Sequence, residues 1–273
     1  MFWRRFRQDR AAIIGLIIVS LNLIVAVIGP FVAPYNPFEQ HLVSRRAAPS
    51  LKHLMGTDAY GRDIFSRVLY GARITIAVGL FVIAISLFTG MVLGVVAGNF
   101  GNHTDTIIMR SMDFLLSFPY FFLAILIVAI LGPNLFNAAI AVLFTFIPQY
   151  ARVVRSATLS IKKEQYIEAA RAMGSSNFRR IVEHIIPNLI GPVIVLGTTG
   201  VATAVILVSA LSFLGMGAQP PTAEWGLMVS EGRSYVTSHP HITIFPGVVL
   251  ALFVLGINLV GDGLRDVLDP KFR

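Results

Sequence analysis

The sequence predicts an all-α integral membrane protein with six transmembrane helices. Of its 273 residues, 55% are hydrophobic and only 13% are charged, whereas soluble domains carry about 25% charged residues. Its charge-free runs are also long enough to cross a bilayer, which takes roughly 20 apolar residues in a helix. The predicted spans are 11–31, 75–97, 113–131, 137–151, 189–213 and 243–261.

Local residues separate the spans from their neighbours. Gly132-Pro133-Asn134 lies between the third and fourth spans and predicts a turn there. Four arginines precede the first span, as basic residues do in a signal peptide. The apolar core of 11–31 is too long for a signal peptide, however, and no small-x-small cleavage site follows it. We therefore expect an uncleaved anchor helix.

The distribution of lysine and arginine predicts the orientation, because these residues gather on the cytoplasmic side of a membrane. With both termini cytoplasmic, the inner segments hold 15 of the 22 basic residues and the outer segments hold seven. Six of those seven lie in 32–74, where Arg62, Arg67 and Arg73 are interleaved with apolar residues. We expect an interfacial helix on the outer surface there. The protein is thus predicted to be a multi-pass protein of the cytoplasmic (inner) membrane, with no nucleic-acid partner.

The sequence lacks the residues that several function classes need. There is no cysteine, so thiolate metal sites and cysteine nucleophiles are excluded. A phosphate loop ending in Gly-Lys-Ser/Thr and an HExxH motif are absent, and His239-Pro240-His241 has no third ligand nearby in the sequence. No charged residue lies near the middle of a span, which argues against an ion-coupled carrier. We expect no catalytic residue, no cofactor and no metal.

Mild polar residues and a glycine repeat occur within the spans. Candidates for lining a solute pathway are Thr198, Thr199, Thr203, Ser209 and Asn258. The alternative is that each bonds to a neighbouring helix, at about 0.6 kcal/mol per bond. Gly90, Gly94 and Gly98 recur every four residues and allow two helices to approach closely. The sequence leaves open whether they pack within the chain or against another subunit.

A polar, helix-forming segment separates the fourth and fifth spans. The pattern predicts a helix over 162–173, ended by Gly174 in the left-handed conformation, and a second helix capped by Ser175 or Ser176. The residues predicted to share one face of the first helix are Tyr166, Ala169, Ala170 and Met173. The pattern alone suits either a hairpin lying on the membrane surface or a docking site for a partner.

The segment contains a spaced motif: Glu168-Ala169-Ala170, Gly174 after three further residues, and Pro187 thirteen residues later. With this motif it resembles the signature loop of the membrane subunits of ATP-driven, binding-protein-dependent importers (ABC importers). His184 and Ile186 depart from the general pattern, which has isoleucine and leucine there. His184-Ile185 before Pro187-Asn188 is nonetheless usual in the dipeptide and oligopeptide (peptide/nickel) branch, and further stretches from His53 to Pro270 resemble that branch in the expected order.

The resemblance implies a type I ABC importer permease architecture with a cytoplasmic coupling helix-turn-helix. It implies one permease domain over 1–273, with an anchor helix and external loop in 1–74 and a tail in 262–273. The five-helix core, 75–261, contains the coupling loop 152–188. The implied partners are a second homologous permease subunit, two cytoplasmic ATP-binding subunits, an extracytoplasmic solute-binding protein and the lipid bilayer.

The resemblance also implies residue roles. Contact with the ATP-binding subunits would involve Glu168, Ala169, Ala170, Arg171, Gly174 and Pro187. Candidate contacts with the solute-binding protein are Asp58, Arg62 and Asp63, with helix capping by Thr57 or Asp58 as the alternative. In the outer loop 215–241, Trp225 predicts either an ordered cover or an interfacial anchor.

The implied function is that of a non-catalytic subunit forming half of an ATP-driven pathway for di- and oligopeptides, with ATP hydrolysis in its partners. A nickel- or glutathione-type importer of the same family remains open. The rival classes are a self-sufficient channel or carrier and a membrane-bound enzyme.

Overall fold

The computed structural model describes residues 6–268, which fold into a bundle of helices. The helices are α1 (Arg10–Val32), α2 (Ile64–Phe100), α3 (Asn102–Leu116), α4 (Tyr120–Leu131), α5 (Leu135–Ile161), α6 (Gln165–Ala172), α7 (Asn177–Arg180), α8 (Ile186–Phe213), α9 (Trp225–Gly232) and α10 (His241–Leu268). A π-helical turn, Ile181–Ile185, joins α7 to α8, and short 3₁₀ turns lie at Leu42–Ser44 and Arg233–Tyr235. The predicted all-α class is confirmed. The end of the expected tail, 269–273, lies outside the described residues.

Five helices are long and apolar enough to cross a bilayer: α1, α2, α5, α8 together with α7, and α10. The pair α3 and α4 supplies a sixth span if it is counted as one, but it bends by 90°. The predicted third span, 113–131, therefore corresponds to the end of α3 and all of α4, which are not one continuous helix. Pro119 has no N–H and disfavours the helical conformation at Phe118, so one helix ends at Leu116 and the next begins at Tyr120.

The second span starts earlier than the sequence suggested. Asp63 caps α2, because its carboxylate accepts a hydrogen bond from the amide of Ser66 at 2.8 Å. The expected interfacial helix around Arg62, Arg67 and Arg73 is instead the first turns of α2 and the residues just before it. Arg67 is only 1% exposed, so it does not lie on the outer surface. The cap is neither Thr57 nor Asp58, the two residues that the sequence offered.

Close packing of α2 on α5 forms the centre of the bundle. A Cβ atom at Gly90 would lie 2.6 Å from Cβ of Tyr150, and one at Gly94 would lie 2.6 Å from the carbonyl oxygen of Ala151. Gly98 faces Thr158 in the same way. The glycine repeat therefore serves packing within this chain, which decides the question that the sequence left open.

Two ion pairs attach α3 to the same centre. Arg152 donates to the carboxylate of Asp113 at 2.6 Å, and Arg155 pairs with Asp105. Both pairs lie towards the C-terminal end of α5, close to the segment that leads into α6. This end of the bundle is therefore joined by polar contacts as well as by apolar packing.

Candidate coupling segment and solute groove

The segment between α5 and α8 begins with a short helix that ends in a defined turn. The amide of Gly174 donates to the carbonyl of Arg171, and the amide of Ser175 donates to the carbonyl of Ala170, both at 3.0 Å. These two bonds form a Schellman motif. Gly174 has a φ of +82°, so the predicted left-handed conformation is confirmed. The turn fixes the direction in which the chain leaves α6.

The second short helix continues directly into the membrane. Ser176 caps α7, because its hydroxyl oxygen accepts from the amide of Arg179 at 3.3 Å, as predicted. Pro187 is the second residue of α8, directly after the π-helical turn, so its missing N–H falls where the hydrogen-bond pattern of the helix changes. The predicted first helix, 162–173, is shorter in the structure because the chain makes a turn at 162–164 before α6 begins.

One face of α6 packs on the protein and the other meets solvent. Ile167 and Ala170 are buried, whereas Tyr166, Ala169 and Met173 are exposed, Met173 by 82%. We call the three exposed residues the docking face. The prediction that Ala170 belongs to this face is wrong, since Ala170 lies at its edge and is turned inward beside Ile167. An exposed apolar face on a short, capped helix is suited to a protein partner.

Hydrogen bonds connect this segment to the membrane helices. Lys162 Nζ donates to the carbonyl of Gly98 at 3.1 Å and to that of Asn99 at 2.8 Å, so it satisfies the C-terminal end of α2. Asn188 Nδ2 of α8 donates to the hydroxyl of Tyr166 on α6 at 3.3 Å. A displacement of this segment would therefore act on α2 through Lys162 and on α8 through Asn188.

One face of α8 lines a long open groove. Two cavities of about 250 and 870 Å³ share Leu196 and Thr199 in their walls, so they adjoin along the helix. The α8 residues in their walls include Asn188, Pro192, Thr199, Thr203 and Leu207. These residues are spaced by four or seven positions, which places them on one helical face. The groove therefore begins beside the coupling segment and follows α8 towards its other end.

The groove is lined by apolar and polar side chains, and few of them are charged. Thr145 and Gln149 of α5 face Thr199 and Thr203 across the smaller cavity, whose walls contain no charged side chain. Asp262 and Arg265 of α10 line only the larger cavity. Such a lining offers hydrogen bonds to a polar solute without holding it through a charge.

The structure brings only some of the predicted pathway residues to this groove. Thr199 and Thr203 line it, whereas Thr198 donates its hydroxyl to the carbonyl of Ile194 at 2.9 Å and lies off that face. Ser209 is buried and bonds to a carboxylate, and Asn258 is exposed on α10 outside the groove walls. Thr145 and Gln149, polar residues of the fourth span that were not among the chosen candidates, also line the groove. The spacing along α8 would have separated Thr203 from Thr198.

Asp58, Arg62 and Asp63 are buried rather than presented to a partner. The Asp58 carboxylate accepts from Arg62 Nε at 2.6 Å. The Glu231 carboxylate accepts from Nη2 of Arg62 at 2.8 Å and from Nη2 of Arg67 at 3.1 Å. We call Asp58, Arg62, Arg67 and Glu231 the outer clasp. The Asp63 carboxylate accepts a hydrogen bond from the amide of Ser66 and lies 2.8 Å from His53 Nδ1.

The clasp joins the start of α2 to the end of α9. Arg62 is 1% exposed and Asp58 is 5% exposed, so these side chains are not available for direct contact with a solute-binding protein. Their role in the structure is to hold the clasp together. Burial opposes the charge of Arg62, but Asp58 and Glu231 together raise its pKa above the ordinary value. The guanidinium therefore stays charged inside the clasp.

The residues between α8 and α10 are also ordered against the bundle. Trp225 is fully buried and donates Nε1–H to the carbonyl of Val68 at 3.0 Å, so the interfacial-anchor interpretation is wrong. The Glu224 carboxylate accepts from Ser209 Oγ at 3.0 Å and from two backbone amides of α9 at 2.9 and 2.8 Å. Burial raises the pKa of Glu224, against the lowering effect of these hydrogen bonds.

Residues 6–268 contain no group of three or more His, Cys, Asp or Glu side chains arranged to hold a metal ion. The rings of His239 and His241 lie edge to face with centroids 6.2 Å apart. This pair gains no third ligand from the part of the chain that the structure describes.

Comparison with known proteins places the chain in a family. Residues 90–273 match the family described as "Binding-protein-dependent transport system inner membrane component". Residues 1–49 match the "N-terminal TM domain of oligopeptide transport permease C". The chain is 44% identical over 271 residues to the dipeptide transport system permease protein DppC of Alkalihalophilus pseudofirmus, which covers 99% of this chain and 89% of that protein.

Other relatives agree with these matches. The glutathione transport system permease protein GsiD of Escherichia coli is 44% identical over 275 residues, covering 100% of this chain and 90% of that protein. An inward-facing structure of the MetNI methionine ABC transporter aligns with a TM-score of 0.59 and 21% identity, covering 74% of this chain and 96% of that chain. The latter shows a likeness of fold.

The chain therefore belongs to the family of inner-membrane components of binding-protein-dependent transport systems, the permease subunits of ABC importers. It is a multi-pass inner-membrane protein with the type I importer fold. The resemblance stated from the coupling-loop motif is confirmed.

Proposed function

We propose that this chain forms half of the translocation pathway of an ATP-driven importer for di- and oligopeptides. The observation that carries this proposal is the continuity of α8, which lines the groove along one face and leads back into the coupling segment at its start. Relatives named for dipeptide and for glutathione transport are each 44% identical over nearly the whole chain. Glutathione is itself a tripeptide, so both names point to peptide cargo.

The groove is open along one side, so this chain does not enclose a pathway. A second, homologous permease subunit facing it would close the groove. The uncharged hydroxyl and amide groups of Thr145, Gln149, Thr199 and Thr203 suit a solute that carries both a positive and a negative terminus, because no fixed charge retains it. Specificity among peptides would then rest on the solute-binding protein.

The coupling segment docks on a cytoplasmic ATP-binding subunit in this proposal. Its residues have distinct roles: Ala169 permits close approach, Glu168 and Arg171 supply exposed charges, Ala170 seats α6 on the bundle, Gly174 sets the turn and Pro187 opens α8. Two such subunits closing on ATP would move α6 against α2 and α8. The coupling follows from different contacts in the two states.

Both termini and the coupling segment lie in the cytoplasm in this proposal, and the outer clasp faces the solute-binding protein. Since the clasp residues are buried, the contact falls on the exposed loop that they hold. Val43 and Leu51 of that loop are fully exposed apolar side chains. Asp58, Arg62 and Asp63 would then act by fixing the loop in position.

The test is co-purification of the full chain from its native membrane with an Ala169→Arg substitution on the docking face. Val43→Arg is the matched control, since it adds the same side chain at an exposed site on the opposite end. We expect wild type and Val43→Arg to bring down the ATP-binding subunits and a second permease. Ala169→Arg should lose the ATP-binding subunits and keep the permease. A wild-type chain that purifies alone and moves solute into vesicles without ATP would make it a channel or carrier.

A further inference from the structure

A basic cleft lies behind α6, on the side turned towards the membrane helices. Its volume is about 300 Å³, at the lower end of the roughly 300–1,000 Å³ that is usual for small-molecule sites. The polar residues in its walls are Asn99, Lys162, Glu168, Arg171, Asn177 and Arg180. They come from the end of α2, the turn after α5, α6 and α7, so the cleft is enclosed by four segments of this chain.

Positive charge dominates the cleft. Lys162, Arg171 and Arg180 face a single carboxylate, that of Glu168. Arg180 is held in place by hydrogen bonds to the carbonyl of Ser175 and to the side chain of Asn177, and Lys162 is held by the two carbonyls that end α2. Burial, and then the charges of Arg171 and Arg180, lower the pKa of Lys162. The three cations therefore repel one another, and an anion between them would relieve that repulsion.

An amide donor points to the same kind of ligand. Asn99 Nδ2 is shielded from solvent and has no hydrogen-bond partner among the protein atoms. Buried donors of this kind are normally satisfied. Arg171 makes no ion pair with the described residues, so its guanidinium also keeps its donors available. The unused capacity of the cleft thus consists mainly of N–H donors, which calls for a ligand with several acceptor oxygens on a negative centre.

We propose that this cleft is a binding site for a phosphate group, contacted by Asn99, Lys162, Arg171 and Arg180. α2 is a candidate membrane span that ends at Phe100, directly after Asn99 in the cleft wall, so the cleft lies at one end of that span. The phosphate of an anionic phospholipid reaches this level, and basic pockets between membrane helices bind such headgroups. Free inorganic phosphate has the same chemistry. The inference does not depend on the cargo.

The experiment uses the full chain in a neutral detergent with two probes. Binding of dioleoyl phosphatidylglycerol is titrated by native mass spectrometry, and binding of inorganic phosphate is followed by ³¹P line broadening. The variant is Arg171→Gln. Its control is Arg179→Gln, which makes the same charge change in the same segment, where Arg179 lies outside the cleft and pairs with Glu183 at 3.7 Å. We expect Arg171→Gln to weaken binding at least about fivefold, and the control to leave it unchanged.

Asn99→Asp gives a second test that keeps the size of the side chain. It places a carboxylate beside the anion and should abolish binding even if Arg171→Gln proves unstable. If the variants lose binding of phosphatidylglycerol alone, the site binds the phosphate of a lipid. If they lose binding of inorganic phosphate, the site binds the free ion. Equal affinity of wild type, Arg171→Gln and Asn99→Asp for both probes would overturn the proposal.

Discussion

Replacing Glu231 by glutamine removes the charge that the two arginines of the outer clasp share. Arg62 and Arg67 contact this carboxylate at 2.8 and 3.1 Å, and the side chain of Glu231 is only 12% exposed. Removing one partner of a buried ion pair costs about 3–5 kcal/mol. Asp58 remains 2.6 Å from Arg62 and 3.6 Å from Arg67, so part of the compensation survives. We therefore expect a loss of about 3 kcal/mol in unfolding free energy, on the order of 100-fold in the equilibrium constant.

The assay is reversible unfolding of the full chain in mixed micelles of increasing denaturing detergent, followed by the fluorescence of buried Trp225. Glu183→Gln is the control, because that side chain is 57% exposed in its pair with Arg179 and should leave stability unchanged. Arg67→Met and the double variant complete a cycle. The double variant should lose less than the sum of the single changes, since no orphaned charge remains. A change below about 0.5 kcal/mol for Glu231→Gln, or strict additivity, would refute the reasoning.

Three further outcomes follow from the geometry. Gly94→Ala places a methyl group 2.6 Å from a backbone oxygen of α5, so it should lower the unfolding free energy by about 1–3 kcal/mol in the same assay. In the control, Gly191→Ala, the methyl group meets no atom within 4 Å, and the unfolding free energy should not fall. In Gly174→Ala the new methyl group meets no atom within 4 Å, but alanine must adopt a φ of +82°, so the change should cost about 1–2 kcal/mol locally and lower ATP-dependent uptake. Gly174→Asn should restore most of that uptake. Equal uptake by wild type, Gly174→Ala and Gly174→Asn would contradict this. Burial raises the pKa of Glu224, so the contribution of this side chain to stability is fully present below the unfolded pKa of 4.5 and is lost as pH rises through the folded pKa. Glu224→Gln should therefore flatten the dependence of the unfolding free energy on pH. An unchanged pH profile would contradict this.

The coupling segment shows how far local reasoning reaches. The left-handed turn at Gly174 and the cap at Ser176 depend on residues within one or two turns of each other, and both predictions are confirmed. The position of Ala170 depends on which side of α6 meets the bundle. That side is set by the packing of Ile167 and by the hydrogen bond from Lys162 to the end of α2. The helical pattern of α6 alone does not show which side faces the bundle.

The groove shows the same division. Hydroxyl-bearing residues in the fifth span were recognisable as candidates, but rotation of α8 about its axis decides which of them meet a cavity. Thr199 and Thr203 face Gln149 across the groove, whereas the adjacent Thr198 does not. The site residues of the coupling segment remain predictions until docking is measured.

By itself the sequence determined the class of the protein, most of its membrane spans and the turn chemistry of the coupling segment. Span length follows from the thickness of the bilayer, and caps follow from neighbouring residues, so both can be read along the chain. Only the tertiary structure decided the role of Arg62, whose partner Glu231 lies 169 residues away. It also decided the internal use of the glycine repeat. These features depend on how distant helices approach and rotate against one another, and periodicity within a single helix does not specify that geometry.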